Sequence, residues 1–298
     1  MNKSTLISSP RVMGTPLRTV NRFISRRPIS SFLFLAYAWS WLFWIPGVLL
    51  YRRAGVAFPP WTLTIGAYGP TVAALLVTVL ADGGQGSKAL LRKYVTWRVG
   101  ILWYGAALFA PYVPTIAVLA IYVLRGGSIG AFDGSALARL PLLIATALPN
   151  GPLAEELGWR GFLLPRLSAR TNLLRASALI GTVWTFWHAP LFYAPFGTFI
   201  SGARVTPAAV GIYLILVTGL SVLIAWVWRH TYGSVLLTIL MHLAVNLNVL
   251  ALLFPAVARV QFEFIYMSIA VLWLFILTIV FIDRKSWTTS PRIGQVAV

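Results

Sequence analysis

The sequence predicts an all-α protein: a polytopic membrane bundle of about eight transmembrane helices, the fourth of them kinked. Three observations carry that reading. Of the 298 residues, 59% are hydrophobic and only 10% are charged, with a mean hydropathy of +0.82; soluble domains do not have this composition. Apolar stretches of about 20 residues, the length that crosses hydrocarbon, recur along the chain. Thirteen Trp and seventeen Phe are available to sit at the two membrane interfaces.

Residues 1–30 carry Lys3, Arg11, Arg18, Arg22, Arg26 and Arg27 with no continuous apolar core. They read as a basic, flexible cytoplasmic tail rather than a cleaved signal peptide. A transmembrane domain is expected over 31–285, with spans near 31–51, 61–81, 101–124, 140–165, 175–197, 207–228, 233–253 and 262–282. The fourth is overlong and interrupted by Pro149, Asn150, Gly151 and Pro152. A kink or break is expected there, because proline lacks the helical donor and clashes with the preceding turn. Residues 286–298 read as a second cytoplasmic tail.

The formal charge of +18 does not point to nucleic acid, because the basic residues gather at span ends and in short loops. There they act as topology signals and as contacts to anionic lipid headgroups, so membrane lipids are expected partners and nucleic acid is not. With the N-terminus inside, the inner segments hold seventeen Lys and Arg and the outer loops six. Both termini are therefore expected in the cytoplasm, with the protein in the plasma (inner) membrane. With no cysteine in the chain, disulfides, thiolate metal sites and cysteine nucleophiles are excluded.

Only six residues are acidic, and two of them, Glu155 and Glu156, are adjacent inside an apolar run that also holds Arg160. Charges in hydrocarbon cost several kcal/mol unless partnered, so they mark a candidate site. On a helix Glu156 and Arg160 share a face and can pair. Glu155 points about 100° away from Glu156 and is left for chemistry. Asn150 or Gly151 could cap the segment that starts at Pro152. His188 lies in the fifth span with Trp184 one turn earlier, placed to wall or orient its ring. His242 lies in the seventh, with Asn246 one turn later on the same face. His230, beside Arg229 at a span end, reads as solvated. At about 1.5 Å per residue, Glu155, His188 and His242 lie roughly 17, 20 and 14 Å deep, a shared level near the middle of the bilayer.

A carboxylate, two imidazoles and an amide, without cysteine or a serine motif, suit activation of water. Glu155 is the expected general base, His188 the group that holds and orients the water, and His242 and Asn246 the donors to the oxyanion of a tetrahedral intermediate. The product is peptide hydrolysis inside the membrane.

The pattern Glu155-Glu156-x-x-x-Arg160, Trp184-x-x-x-His188 and His242-x-x-x-Asn246 resembles the CPBP (Abi, CAAX protease and bacteriocin-processing) family of intramembrane endopeptidases, which includes the type II CAAX prenyl endopeptidases. Gly161-Phe162-Leu163-Leu164-Pro165 is also similar to that family. Trp184 departs from the Phe usual at its position. The resemblance covers about 140–250, where the catalytic core is expected. It implies catalysis by Glu155, His188, His242 and Asn246, supported by Glu156, Arg160 and Trp184. It also implies a membrane-associated or prenylated protein or peptide as substrate, or peptide maturation of the bacteriocin type.

Glu155, His188 and His242 could alternatively form a His₂Glu zinc site with an open water position. No His-Glu-x-x-His helix accompanies them, however, and pairing with Arg160 leaves no spare base, so a metal-free reaction is favoured. A non-catalytic immunity or scaffold protein of the same family is a further alternative. So is a proton-coupled transporter, although neither repeat symmetry nor a polar path across several spans is evident.

Overall fold

The computed structural model describes residues 22–288, and every regular element among them is helical. After a short helical stretch over 22–26 comes α1 (Pro28–Ala54), which ends at Gly55 in the left-handed conformation, φ 63°. Next come α2 (Pro60–Ala67) and α3 (Gly69–Arg92), the latter bent at Gly83, whose φ of 68° and ψ of −165° interrupt the helix. A three-residue 3₁₀ turn joins α4 (Ile101–Phe109) to α5 (Val113–Leu124). The next segment is built from α6 (Ser135–Ala147), α7 (Pro152–Glu156), a π-helical turn over Leu157–Leu163, and α8 (Leu164–Ser168). The chain continues through α9 (Leu173–Trp187), α10 (Pro207–His230), α11 (Val235–Leu247), α12 (Val249–Leu253), α13 (Ala256–Glu263), α14 (Ile265–Ile282) and α15 (Arg284–Thr288).

Six of the eight expected spans are long and apolar enough to cross a membrane: Pro28–Ala54, Pro60–Val95, Ile101–Leu124, Pro207–His230, Val235–Leu253 and Ile265–Ile282. The other two are shorter pieces. The run expected over 140–165 is broken between Ala147 and Pro152 and winds into the π turn. The run expected over 175–197 yields α9, whose 15 residues make only about 22 Å of helix. Pro190 helps end it, and the chain passes into a 3₁₀ turn at Ala189–Tyr193.

The two tails fall largely outside the described residues. Within them, α1 already starts at Pro28 rather than 31, and the described residues past 285 belong to α15.

The protein core surrounds the π turn. Every residue from Ala154 to Leu164 is buried, including fully buried Trp159 and Phe162, which pack against Phe32 of α1. Gly158 lets this turn rest on the start of α3, since a Cβ there would lie 2.5 Å from the backbone of Pro70. Small residues at helix crossings are the usual route to close packing in membranes. In contrast, α14 buries only Leu272 and Ile276, while Phe281 and Ile282 are exposed. Such a surface belongs against lipid.

Pro165 explains an unusual contact at the end of the π turn. It has no N–H to offer the Gly161 carbonyl four residues back, and a buried carbonyl needs a donor. Lys93 Nζ supplies one at 2.6 Å, and next to it Tyr94 donates its hydroxyl to Leu153 O at 2.9 Å. Two neighbouring side chains just past α3 thus hold the polar segment at both ends.

Candidate active site

Pro152 at the first turn of α7 starts the helix without wasting a donor, and Gly151 occupies the N-cap position with no side-chain cap bond. Asn150 faces elsewhere, donating to Thr146 O at 2.7 Å and accepting from the Thr64 hydroxyl. Of the two cap candidates, Gly151 holds the place. Its φ of 178° is extended, so the glycine matters here for space. A Cβ on it would lie 3.0 Å from Asn246 Nδ2, 3.5 Å from Glu155 Oε1 and 3.8 Å from His242 Nε2. Three polar atoms from two separate segments converge on the hollow above that Cα.

Glu155 and Glu156 are both buried, at 4% and 0% exposure, yet their partners differ. Glu156 Oε1 accepts from Arg160 Nη1 at 2.7 Å and from His242 Nδ1 at 2.9 Å. Arg160 is fully buried, and its Nε and Nη2 have no hydrogen-bond partner among the described residues. Its guanidinium lies over the Trp184 ring, 4.6 Å from the centroid, a favourable contact for a cation. Glu155 Oε2 accepts from two indoles, Trp184 Nε1 at 2.6 Å and Trp159 Nε1 at 3.3 Å. Its Oε1 is the oxygen near Gly151.

The two histidines are held in the same way. His188 Nδ1 lies 2.8 Å from Trp184 O. A carbonyl can only accept, so Nδ1 carries the proton and the neutral ring presents a lone pair at Nε2. His242 Nδ1 faces a carboxylate, which leaves its Nε2 toward the hollow. The His188 ring is enclosed by Trp187 (4.6 Å), Tyr213 (5.9 Å), Trp184 (6.0 Å) and Trp44 (6.2 Å) between centroids. His242 meets Trp184 edge-on at 5.1 Å. Asn246 is the exposed member of the group, so the hollow opens on its side.

The structure therefore brings all seven sequence-selected residues into one cluster. Glu155, His242 and Asn246 meet at Gly151; His188 joins them through Trp184; Glu156 and Arg160 stand behind His242. Sequence reasoning missed Trp159 as a partner of Glu155, although its i+4 spacing was available to find it. It also missed the spatial role of Gly151 and the Tyr213 wall, for which no local signal exists.

Two imidazole lone pairs and a carboxylate are donors of the kind zinc takes. They are not arranged as its ligands: among the described residues no three His, Asp or Glu side chains converge in a way that could hold a metal ion. One oxygen of Glu155 is already engaged by two indoles. As placed, the described residues do not form a metal's ligand set.

An all-helical integral membrane protein with a buried, charge-bearing polar site inside its bundle is the class that fold and site define. Residues 137–248 match the family described as Rce1-like type II CAAX prenyl endopeptidase, a segment that contains every residue of the cluster. CAAX prenyl protease 2 of Methanococcus maripaludis is 29% identical over 147 residues, which cover 47% of this chain and 53% of the relative. The chain thus matches about half the length of that curated relative. Both matches are to proteins described as type II CAAX prenyl endopeptidases or named CAAX prenyl proteases, and they are what this chain is similar to.

Proposed function

We propose that the chain is an intramembrane endopeptidase that hydrolyses a peptide bond of a membrane-associated or prenylated protein or peptide, using water activated by Glu155. The observation that carries this reading is that Glu155 Oε1, His242 Nε2 and Asn246 Nδ2 converge over Gly151, all within 3.8 Å of where a Cβ on that glycine would lie. A water held among these groups has an acceptor for its proton and lies beside donors for the oxyanion that forms when it attacks the carbonyl carbon. Glu155 Oε1 takes the proton as the water oxygen bonds to the carbonyl carbon, and the carbonyl electron pair moves onto oxygen. Asn246 Nδ2–H donates to that oxyanion, and His242, its ring fixed by the Nδ1–H bond to Glu156, donates from Nε2–H in its imidazolium form. Preorganised contacts of this kind are worth a few kcal/mol each. On collapse the C–N bond breaks, and Glu155 returns the proton to the leaving nitrogen, giving acid and amine. His188, whose lone pair sits at Nε2, accepts from water approaching the site and orients it.

The name of the matched relative, CAAX prenyl protease 2, favours a prenylated peptide as the first substrate to test. The basic bias of the inner segments supports an orientation with both termini in the cytoplasm. The test is cleavage of farnesylated and unmodified peptides by purified protein in liposomes, read by mass spectrometry. Wild type is expected to cleave, with Glu155→Ala and His242→Ala inactive. Equal cleavage by Glu155→Ala would sink the proposal.

A further inference from the structure

We propose that Trp184 is the positioning residue for Glu155: its indole N–H holds Oε2 so that Oε1 alone faces the hollow. The inference rests on Glu155 being the base.

A carboxylate rotates about its last torsion with a broad, roughly two-fold preference, so its two oxygens are equivalent until something distinguishes them. Here two indole donors fall on the same oxygen. Trp184 Nε1 lies 2.6 Å from Oε2 and Trp159 Nε1 3.3 Å, and both tryptophans are buried, at 3% and 0% exposure. The shorter bond comes from a different segment, 29 residues along the chain, and therefore fixes α7 against α9.

Trp184 can hold this position because it is itself held on every side. Arg160 covers its face at 4.6 Å, His242 meets its edge at 5.1 Å, and its carbonyl accepts from His188 Nδ1 at 2.8 Å. Only an indole offers a π face to a cation and an N–H to a carboxylate at once. Phe offers the face and no donor. The plainer account is that a buried indole N–H needs some acceptor and Glu155 happens to be it. That account predicts a stability cost without a selective effect on turnover, and the two are separable.

The experiment replaces Trp184 with benzothienylalanine, in which sulfur takes the place of the N–H and the ring shape is kept, with Trp184→Phe as companion. Monodisperse protein is assayed on the farnesylated peptide proposed above. Loss of a hydrogen bond to a charged group should lower kcat by about ten- to a hundredfold, with KM unchanged. A second readout needs no substrate: the Trp184 indole N–H resonance should move upfield in Glu155→Gln. Wild-type kcat in the benzothienylalanine protein, a change confined to KM, or an unmoved resonance would overturn the inference. If Glu155→Ala is nevertheless inactive, the proposed function stands without it. Full activity in Glu155→Ala would remove the function itself.

Discussion

Glu155 and Glu156 are neighbours in sequence, equally buried, and expected to answer the same substitution in opposite ways. Glu156→Gln removes the charge that pairs with Arg160 at 2.7 Å, where both side chains have no exposure. Breaking a buried pair from one side costs about 3–5 kcal/mol, because the remaining charge is left uncompensated. Arg160 has little to fall back on, since its Nε and Nη2 already lack partners among the described residues. The amide can still accept from His242 Nδ1, so the penalty falls on the arginine. Glu155→Gln keeps an oxygen for the Trp184 and Trp159 donors and leaves no opposite charge stranded. Its stability should stay within about 1 kcal/mol of wild type while its activity disappears. Arg160→Met added to Glu156→Gln should recover most of the loss, as apolar replacement of a buried pair often does. The assay is reversible unfolding in mixed micelles followed by tryptophan fluorescence, beside peptide cleavage. Equal destabilisation by the two single variants would refute the division of labour, as would a double variant no more stable than Glu156→Gln alone.

Other perturbations probe the hollow. Gly151→Ala places a methyl 3.0 Å from Asn246 Nδ2, occupying about the volume of one water; cleavage should fall by at least roughly 10²-fold, and near-wild-type turnover would mean that the water sits elsewhere. Asn246→Ala should lower kcat on the order of 10²- to 10³-fold with little effect on folding, because the side chain is exposed; a pure KM effect would remove it from the oxyanion role. Exhaustive treatment with a strong chelator should leave cleavage unchanged, since the cluster does not gather three ligands. Loss of activity restored by added zinc would show that the two histidines and Glu155 close up in the working enzyme.

Much of the site was legible because helical spacing survives local distortion. The i, i+4 relation joined Glu156 to Arg160 even though the π turn begins between them, and the same spacing joins Glu155 to Trp159. Contacts between segments were not legible in this way. His242 reaches Glu156 across 86 residues and Trp184 reaches Glu155 across 29; spacing alone carries no such information. The two expected spans that do not reach spanning length were not distinguishable for a different reason. Hydropathy measures distaste for water and cannot separate a helix wrapped in lipid from one wrapped in protein. α9 is apolar because Ala176, Ile180, Gly181 and Trp184 pack into the bundle, and α14 because it faces outward. Read by hydropathy alone, the two look equivalent.

The breaks in these helices bear on the chemistry directly. Glu155 sits in the first turn of α7, His188 follows the last residue of α9, and Asn246 lies one residue before the end of α11, where Asn248 turns left-handed at φ 42°. Three of the four chemically useful side chains are therefore at or next to a helix terminus, while His242 lies within the regular part of α11. Helix ends leave backbone groups without intrahelical partners, and at membrane depth such groups are tolerated only where protein or water satisfies them. Protein does part of this: the Tyr112 hydroxyl donates to Ala244 O at 2.6 Å and accepts from Val249 N at 3.2 Å across the break after α11. Three interrupted helices thus bring Glu155, His188 and Asn246 to one polar cluster, an arrangement that a single structural ion pair between Glu156 and Arg160 does not require.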